Sequence, residues 1–179
     1  MENYLISEAI GDIAGSAYEG RSHRIKDYDK VKLFSSRAHF TDDTVLTFAC
    51  TTALTVFHLK NGKDKEFVRE QLLNKYNPDW ANQKYADFHD SYTFNSTCAG
   101  TVGPAMICFL ESKDYVDCIK LAISLGGDAD TLAAIAGPMA YAYYKKMPDA
   151  LVYQAMKKLP DWMVDVSERF DKIVYTKFE

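Results

Sequence analysis

Apolar residues recur along most of the chain at intervals of three and four, and no stretch alternates with the period of two expected of a half-buried strand. Leu5, Ile6, Ala9, Ile10, Ile13, Ala14 and Ala17 mark one face of a helix from about Tyr4 to Tyr18. A second helix opens at Phe40-Thr41-Asp42-Asp43-Thr44, runs through Val45, Leu46, Phe48, Ala49, Ala53, Leu54 and Phe57, and stops at Asn61-Gly62. A shorter amphipathic helix covers Lys65 to Tyr76 and breaks at Asn77-Pro78-Asp79, after which the aromatic-rich stretch from Trp80 to Phe94 shows no clean period. The pattern then predicts a helix from about Thr97 to Glu111 and a successor that starts at Ser112-Lys113-Asp114 and is closed by Gly126-Gly127. The following helix spans Asp130 to Lys145, with Pro138 expected to kink or split it. Pro148 and Pro160 suit the first helical position of two later segments. The last segment, Asp161 to about Phe178, carries Trp162, Val166, Phe170 and Val174 along one face. These periods predict an all-α fold.

Composition narrows the class without changing it. At 179 residues, 47% apolar and 26% charged, the chain reads as one soluble domain over 1–179. A net charge of −4 argues against a basic face that tracks phosphates, so bulk nucleic-acid binding is not expected. No apolar run approaches the roughly 20 residues that span a bilayer, and the start Met1-Glu2-Asn3-Tyr4 lacks the basic residues of a secretory signal. Cys50, Cys98, Cys108 and Cys118 show no CxxC spacing, which favours a reducing, cytoplasmic setting over a disulfide framework or zinc site.

The candidate chemistry lies at helix starts. In Ser124-Leu125-Gly126-Gly127-Asp128-Ala129-Asp130-Thr131 two glycines end one helix, and two acids and a hydroxyl open the next. A capping role accounts for one acid. It does not account for two acids, a threonine and a Gly-Gly turn together, whereas crowded oxygen ligands suit a hard cation such as Mg²⁺ or Ca²⁺. Thr41-Asp42-Asp43-Thr44 repeats the arrangement. Were the two starts to face each other, four carboxylates would share a small volume, and about half a positive charge at each helix terminus could not balance them. A pair of divalent cations would. Gly11 and Gly15, four apart inside the first helix, each cost about 1 kcal/mol against alanine and therefore call for a close backbone approach or a functional reason.

Three motifs, Gly11-Asp12-x-x-Gly15-x-x-Tyr18-Glu19, Thr41-Asp42-Asp43-Thr44 and Gly126-Gly127-Asp128-Ala129-Asp130-Thr131, together resemble the ADP-ribosylglycohydrolase family, with supporting similarity around Cys98–Val102, Phe109–Ser112 and Ala122–Leu125. The resemblance covers about residues 1–57 and 92–146, with weaker similarity in the final helices. It implies a compact orthogonal helical bundle of that type, reduced in size, with a binuclear Mg²⁺ or Mn²⁺ centre. It also implies hydrolysis of the glycosidic bond at ribose C1″ of an ADP-ribosylated protein, small-molecule or nucleic-acid conjugate, with release of ADP-ribose. Carried over residue by residue, the metal ligands are Thr41, Asp42, Asp43, Asp128, Asp130 and Thr131. Glu19, Asp42 and Asp128 form the catalytic set, with Glu19 as acid or base or as a group that positions water. Asp12 is expected to hold its motif by local hydrogen bonds.

The chain departs from the family in two respects that bear on substrate: Pro138, where relatives usually carry a small or apolar non-proline residue and a kink would shift the floor of the pocket, and a central segment. Relatives usually carry, between the second helix and the Cys98 block, a segment with a glycine-asparagine-glycine loop that helps hold ADP-ribose. Here Leu59-Lys60-Asn61-Gly62-Lys63 leads directly into the helix at Lys65. The expected consequence is a more open cleft, or one completed by a second copy or a partner. An ADP-ribose-binding module without turnover, or an interaction protein that keeps only the fold, are the competing functions. Tyr85, Phe88, Tyr92 and Phe94 are either core aromatics or a platform for adenine. His23, His39, His58 and His89 read as surface or packing residues, Cys98 as a structural thiol, and Arg21, Arg24 and Arg37 as solvated loop charges that could meet a pyrophosphate. Asp161, Asp165, Glu168 and Asp171 read as a wet helix face.

Overall fold

In the computed structural model, residues 4–19, 25–39, 50–95 and 98–176 are described, and every regular element among them is helical. In chain order these are α1 (Tyr4–Ser16), a 3-10 turn (Tyr28–Lys30), α2 (Cys50–Lys60), α3 (65–76), a second 3-10 turn (Pro78–Trp80), α4 (Tyr85–Phe88), α5 (Cys98–Glu111), α6 (Tyr115–Ser124), α7 (Ala129–Tyr144), α8 (Asp149–Met156) and α9 (Asp161–Thr176). The fold is all-α, as the periodicity predicts.

The centre of the fold is α7. Its residues from Leu132 to Ala142 are all buried, and α1, α2, α5 and α6 pack on it. A helix apolar on every side has no wet face and can only be an interior one. Its composition also explains how it fits among its neighbours, because Ala133, Ala134, Ala136, Gly137, Ala140 and Ala142 are small enough to let them come close.

The closest approach is by α1, which runs antiparallel to α7. A Cβ built on Gly137 would lie 2.7 Å from the Ser7 carbonyl oxygen. One on Gly11 would lie 2.2 Å from that of Ala133, and one on Gly15 would lie 2.4 Å from the Asp130 Cα. The pairings 7 with 137, 11 with 133 and 15 with 130 fix the antiparallel sense and the register. The two glycines of α1 are thus explained by backbone contact. A methyl group at either position would force the helices apart.

Several elements differ in detail from their sequence expectation. Pro138 neither splits nor ends α7, which continues through it to Tyr144. Packing around the whole helix outweighs the one backbone hydrogen bond lost at proline, and Pro104 is carried inside α5 in the same way. The helix at 65–76 forms, with Asp64 accepting the Phe67 N–H at 2.8 Å, but Val68–Leu73 is wound as a π-helix. Pro148 is the N-cap of α8 rather than its first helical residue, and the Pro160 carbonyl accepts the Met163 N–H at 2.9 Å, which gives it the same place before α9.

The face of α9 is also corrected. Trp162 and Val166 are 60% and 45% exposed, while Ser167 and Asp171 are buried. The helix turns the side carrying Met163, Val164, Ser167 and Asp171 inward, so Asp171 leaves the wet face on which Asp161, Asp165 and Glu168 remain. The aromatic set is likewise core for the most part. Phe88 and Tyr92 are buried, and Trp80, Tyr85 and Tyr92 each meet Phe88 edge-on. Phe94 alone of the four expected stacking residues is largely exposed, at 58%.

The connection 25–39 has little regular structure, yet it is tied down along its length. Tyr18 donates its hydroxyl to the Lys32 carbonyl at 2.9 Å and accepts the Lys32 N–H at 2.7 Å. Tyr28 donates to Asp117 on α6 at 2.6 Å, and Lys158 donates to the Ala38 carbonyl. His39 then donates its backbone N–H to Ser16 Oγ at 3.1 Å, which returns the chain to the end of α1.

Candidate metal centre

The antiparallel register of α1 and α7 brings the C-terminal end of one helix beside the N-terminal end of the other. Gly15 rests against Asp130, the Tyr18 N–H closes a turn onto the Gly15 carbonyl at 2.8 Å, and the buried Tyr18 anchors the chain just before Glu19. Carboxylate oxygens of Glu19, Asp128 and Asp130 all lie within 4.8 Å of one another. The cluster grades from solvent to core: Glu19 is exposed, Asp128 half-buried and Asp130 only 1% exposed.

The approach to α7 is a turn that glycine makes possible. Gly126 and Gly127 have φ of +71° and +72°, in the left-handed region that other residues enter only with strain. Gly127 is hemmed in as well, since a Cβ there would lie 3.1 Å from the Tyr92 ring and 3.2 Å from the Phe94 Cα. Tyr92 is fixed from the other side by its hydroxyl, which donates to the Gly100 carbonyl at 2.8 Å. Burial first, and the Asp128 carboxylate after it, hold the Tyr92 phenol well above its ordinary pKa, so it stays neutral.

Asp128 occupies the N-cap position of α7, and its carbonyl accepts the Leu132 N–H at 3.0 Å. Its carboxylate caps nothing. The ordinary reason for an acid at a helix start is therefore absent here. Asp130 Oδ1 accepts the N–H of half-buried Thr131 at 3.1 Å. Among the described residues no lysine or arginine forms an ion pair with Glu19 or Asp128. Three carboxylates so close repel one another, and the helix terminus offers only about half a positive charge against them. Hard oxygen donors at this spacing fit a divalent cation such as Mg²⁺ or Mn²⁺.

The sequence model of the ADP-ribosylglycohydrolase family matches residues 90–178, which include the Gly126–Thr131 turn and all of α7. The chain belongs to the ADP-ribosylglycohydrolase family. No curated protein and no solved structure matches it. The family match extends through α8 and α9, where the motif resemblance is weaker, and it begins after the first two motifs. Glu19 is connected to the matched half by structure, through the contact of Gly15 with Asp130.

Of the sequence-predicted site residues of this family member, Glu19, Asp128 and Asp130 come together, and Thr131 lies next to them in α7. Thr41, Asp42 and Asp43 lie outside the described residues, as do Arg21, His23 and Arg24. Asp12 is fully buried in α1, in keeping with a structural place. Cys108 and Cys118 are buried free thiols whose pKa values burial raises, that of Cys118 to about 12, so neither is a nucleophile. His39 is exposed, and His58 packs against Phe57 and Phe67. His89 meets Asp90 at 2.8 Å.

Sequence reasoning missed Lys26, whose ammonium reaches the carbonyl of Leu125 immediately before the Gly-Gly turn. It stands in a polar connection without period, and nothing in its neighbours marks it.

Proposed function

We propose that the chain is a metal-dependent hydrolase that cleaves the glycosidic bond at ribose C1″ of an ADP-ribosylated target and releases ADP-ribose. The observation that carries this reading is the meeting of Glu19, Asp128 and Asp130 within 4.8 Å, with Asp128 in a cap position but not acting as a cap. The return of the chain at His39 to Ser16, at 3.1 Å, supports the addition of Thr41, Asp42 and Asp43 to Asp128, Asp130 and Thr131 as ligands of two Mg²⁺ or Mn²⁺ ions.

Bound there, the cations would orient ribose hydroxyls and lower the pKa of a water molecule. The protein's own groups do the rest. Glu19 is the exposed member of the cluster, open to an incoming substrate, and it takes the proton from the attacking water or gives one to the leaving atom. Asp128 and Asp42 supply the negative charge that an oxocarbenium-like transition state at C1″ needs nearby. Buried Asp130 fixes the geometry of the set from the core side. The absent glycine-asparagine-glycine loop leaves the cleft more open, to accept a bulkier conjugate or to be covered by a second copy or partner. One domain over 1–179 in a reducing, cytoplasmic setting fits the free thiols.

The test is release of ADP-ribose from ADP-ribosylated arginine, serine and nucleic-acid substrates in Mg²⁺ or Mn²⁺, with Glu19→Ala and Asp128→Asn beside the wild type. Release abolished by both substitutions is the expected result. Release that survives both would overturn the mechanism, and calorimetric binding of ADP-ribose without release would favour a binding module instead.

A further inference from the structure

A turn made of two glycines at positive φ has no side chains to hold it, and glycine has the most backbone freedom to lose. Something outside the turn must therefore set where Asp128 and Asp130 point. Lys26, half-buried on the connection that follows Glu19, is placed to do so. Its Nζ donates to the carbonyl oxygens of Leu125 at 2.5 Å, of Tyr92 at 3.3 Å and of His89. An ammonium carries three donors and no acceptor, so it can bind several carbonyls at once.

These carbonyls come from two segments. Leu125 ends α6 and directly precedes Gly126, His89 follows α4, and Tyr92 begins the stretch that lies over Gly127. One ammonium thus binds the entry of the turn and the segment that covers it to the connection leaving Glu19.

We propose that Lys26 is a positioning residue for the acid cluster: its ammonium locks the Gly126–Gly127 turn beneath the 89–92 segment and so sets the spacing of Asp128 and Asp130 for a divalent cation. The metal half of this rests on the metal reading of the cluster, while the lock on the turn does not. The sign of the effect separates positioning from charge. Removing a positive charge from the protein acts by Coulomb's law alone only to tighten the binding of a divalent ion. Removing a positioning group weakens it, and groups that support metal ligands from behind typically change affinity by about 10–100-fold.

The test compares wild type, Lys26→Met and Lys26→Arg. In metal-free protein, amide hydrogen exchange at Gly126, Gly127 and Asp128 should quicken in Lys26→Met while the buried amides of Ala136 and Ala140 in α7 keep their rates. Calorimetric titration with Mn²⁺ should show affinity falling by roughly tenfold or more in Lys26→Met and recovering in part in Lys26→Arg. Should Lys26→Met lose its helical circular dichroism, Lys26→Gln carries the same comparison. Unchanged exchange at the turn overturns the lock, and unchanged or tighter Mn²⁺ binding overturns the positioning role. Wild-type protein that takes up no Mn²⁺ overturns the metal reading itself, which is a separate result.

Discussion

Gly15 and Asp130 touch backbone to backbone, with the Asp130 Cα only 2.4 Å from where a Gly15 side chain would begin. This contact joins the helix that leads to Glu19 to the helix that carries the aspartates. Gly15→Ala should therefore act on stability and on the site together. Overpacking of a tight contact typically costs about 1–3 kcal/mol, and here the obstacle is backbone that cannot rotate away. The expected outcome in urea unfolding is a loss at the upper end of that range or beyond, and any protein that remains folded should bind Mn²⁺ more weakly.

Gly127→Ala tests the turn separately. The residue has φ of +72° and its Cβ would meet Tyr92 and Phe94 at 3.1–3.2 Å. Left-handed strain of about 1–2 kcal/mol adds to the crowding. Thermal melts should show that loss, and ADP-ribose release should fall further than the melting temperature alone accounts for, because Asp128 is the next residue.

Neutralising one carboxylate should help the empty protein and harm the loaded one. Asp128 has no ion-pair partner among the described residues and stands within 4.8 Å of two other acids. Without metal, Asp128→Asn is expected to melt at a temperature equal to or above the wild type's. With saturating Mn²⁺ the wild type should gain, since a ligand at 100 times its Kd adds about 2.7 kcal/mol, and the variant should not.

The alkaline limit follows from buried phenols. Burial raises the pKa of Tyr115 and Tyr92, and most strongly that of Tyr115, well above the ordinary value near 10. A group whose folded pKa is raised contributes stability that is full below its unfolded pKa and is lost as pH rises past it. Stability should thus hold up to about pH 10 and fall above it. Tyrosinate absorbance near 295 nm and loss of helical circular dichroism should rise together for the buried set. Early tyrosinate signal from all twelve tyrosines in folded protein would contradict the account.

How much of this could be read in advance depended on whether the cause lay in local order along the chain. The spacing of Ile10, Ile13, Ala14 and Ala17 marks α1, and the Gly11–Gly15 pair announces a close approach, because glycine inside a helix is costly without one. The acid pair after Gly126-Gly127 was equally legible, since a cap uses only one carboxylate. What escaped were properties set by distant partners. Trp162 and Val166 share a stripe as regular as any buried one, and only the docking of α9 decides that Val164 and Asp171 turn inward instead. Phe88 and Tyr92 could have stacked on a ligand, and it is the neighbouring rings that make them core. Lys26 finds its carbonyls 63 to 99 residues away, a distance over which no period or cap carries information.

The most direct measurement is a calorimetric titration of metal-stripped protein with Mn²⁺, with ADP-ribose release followed in the same samples. The account predicts saturable binding in the wild type, release that appears in step with it, and loss of both in Asp128→Asn. Full release from protein that binds no divalent cation would contradict it.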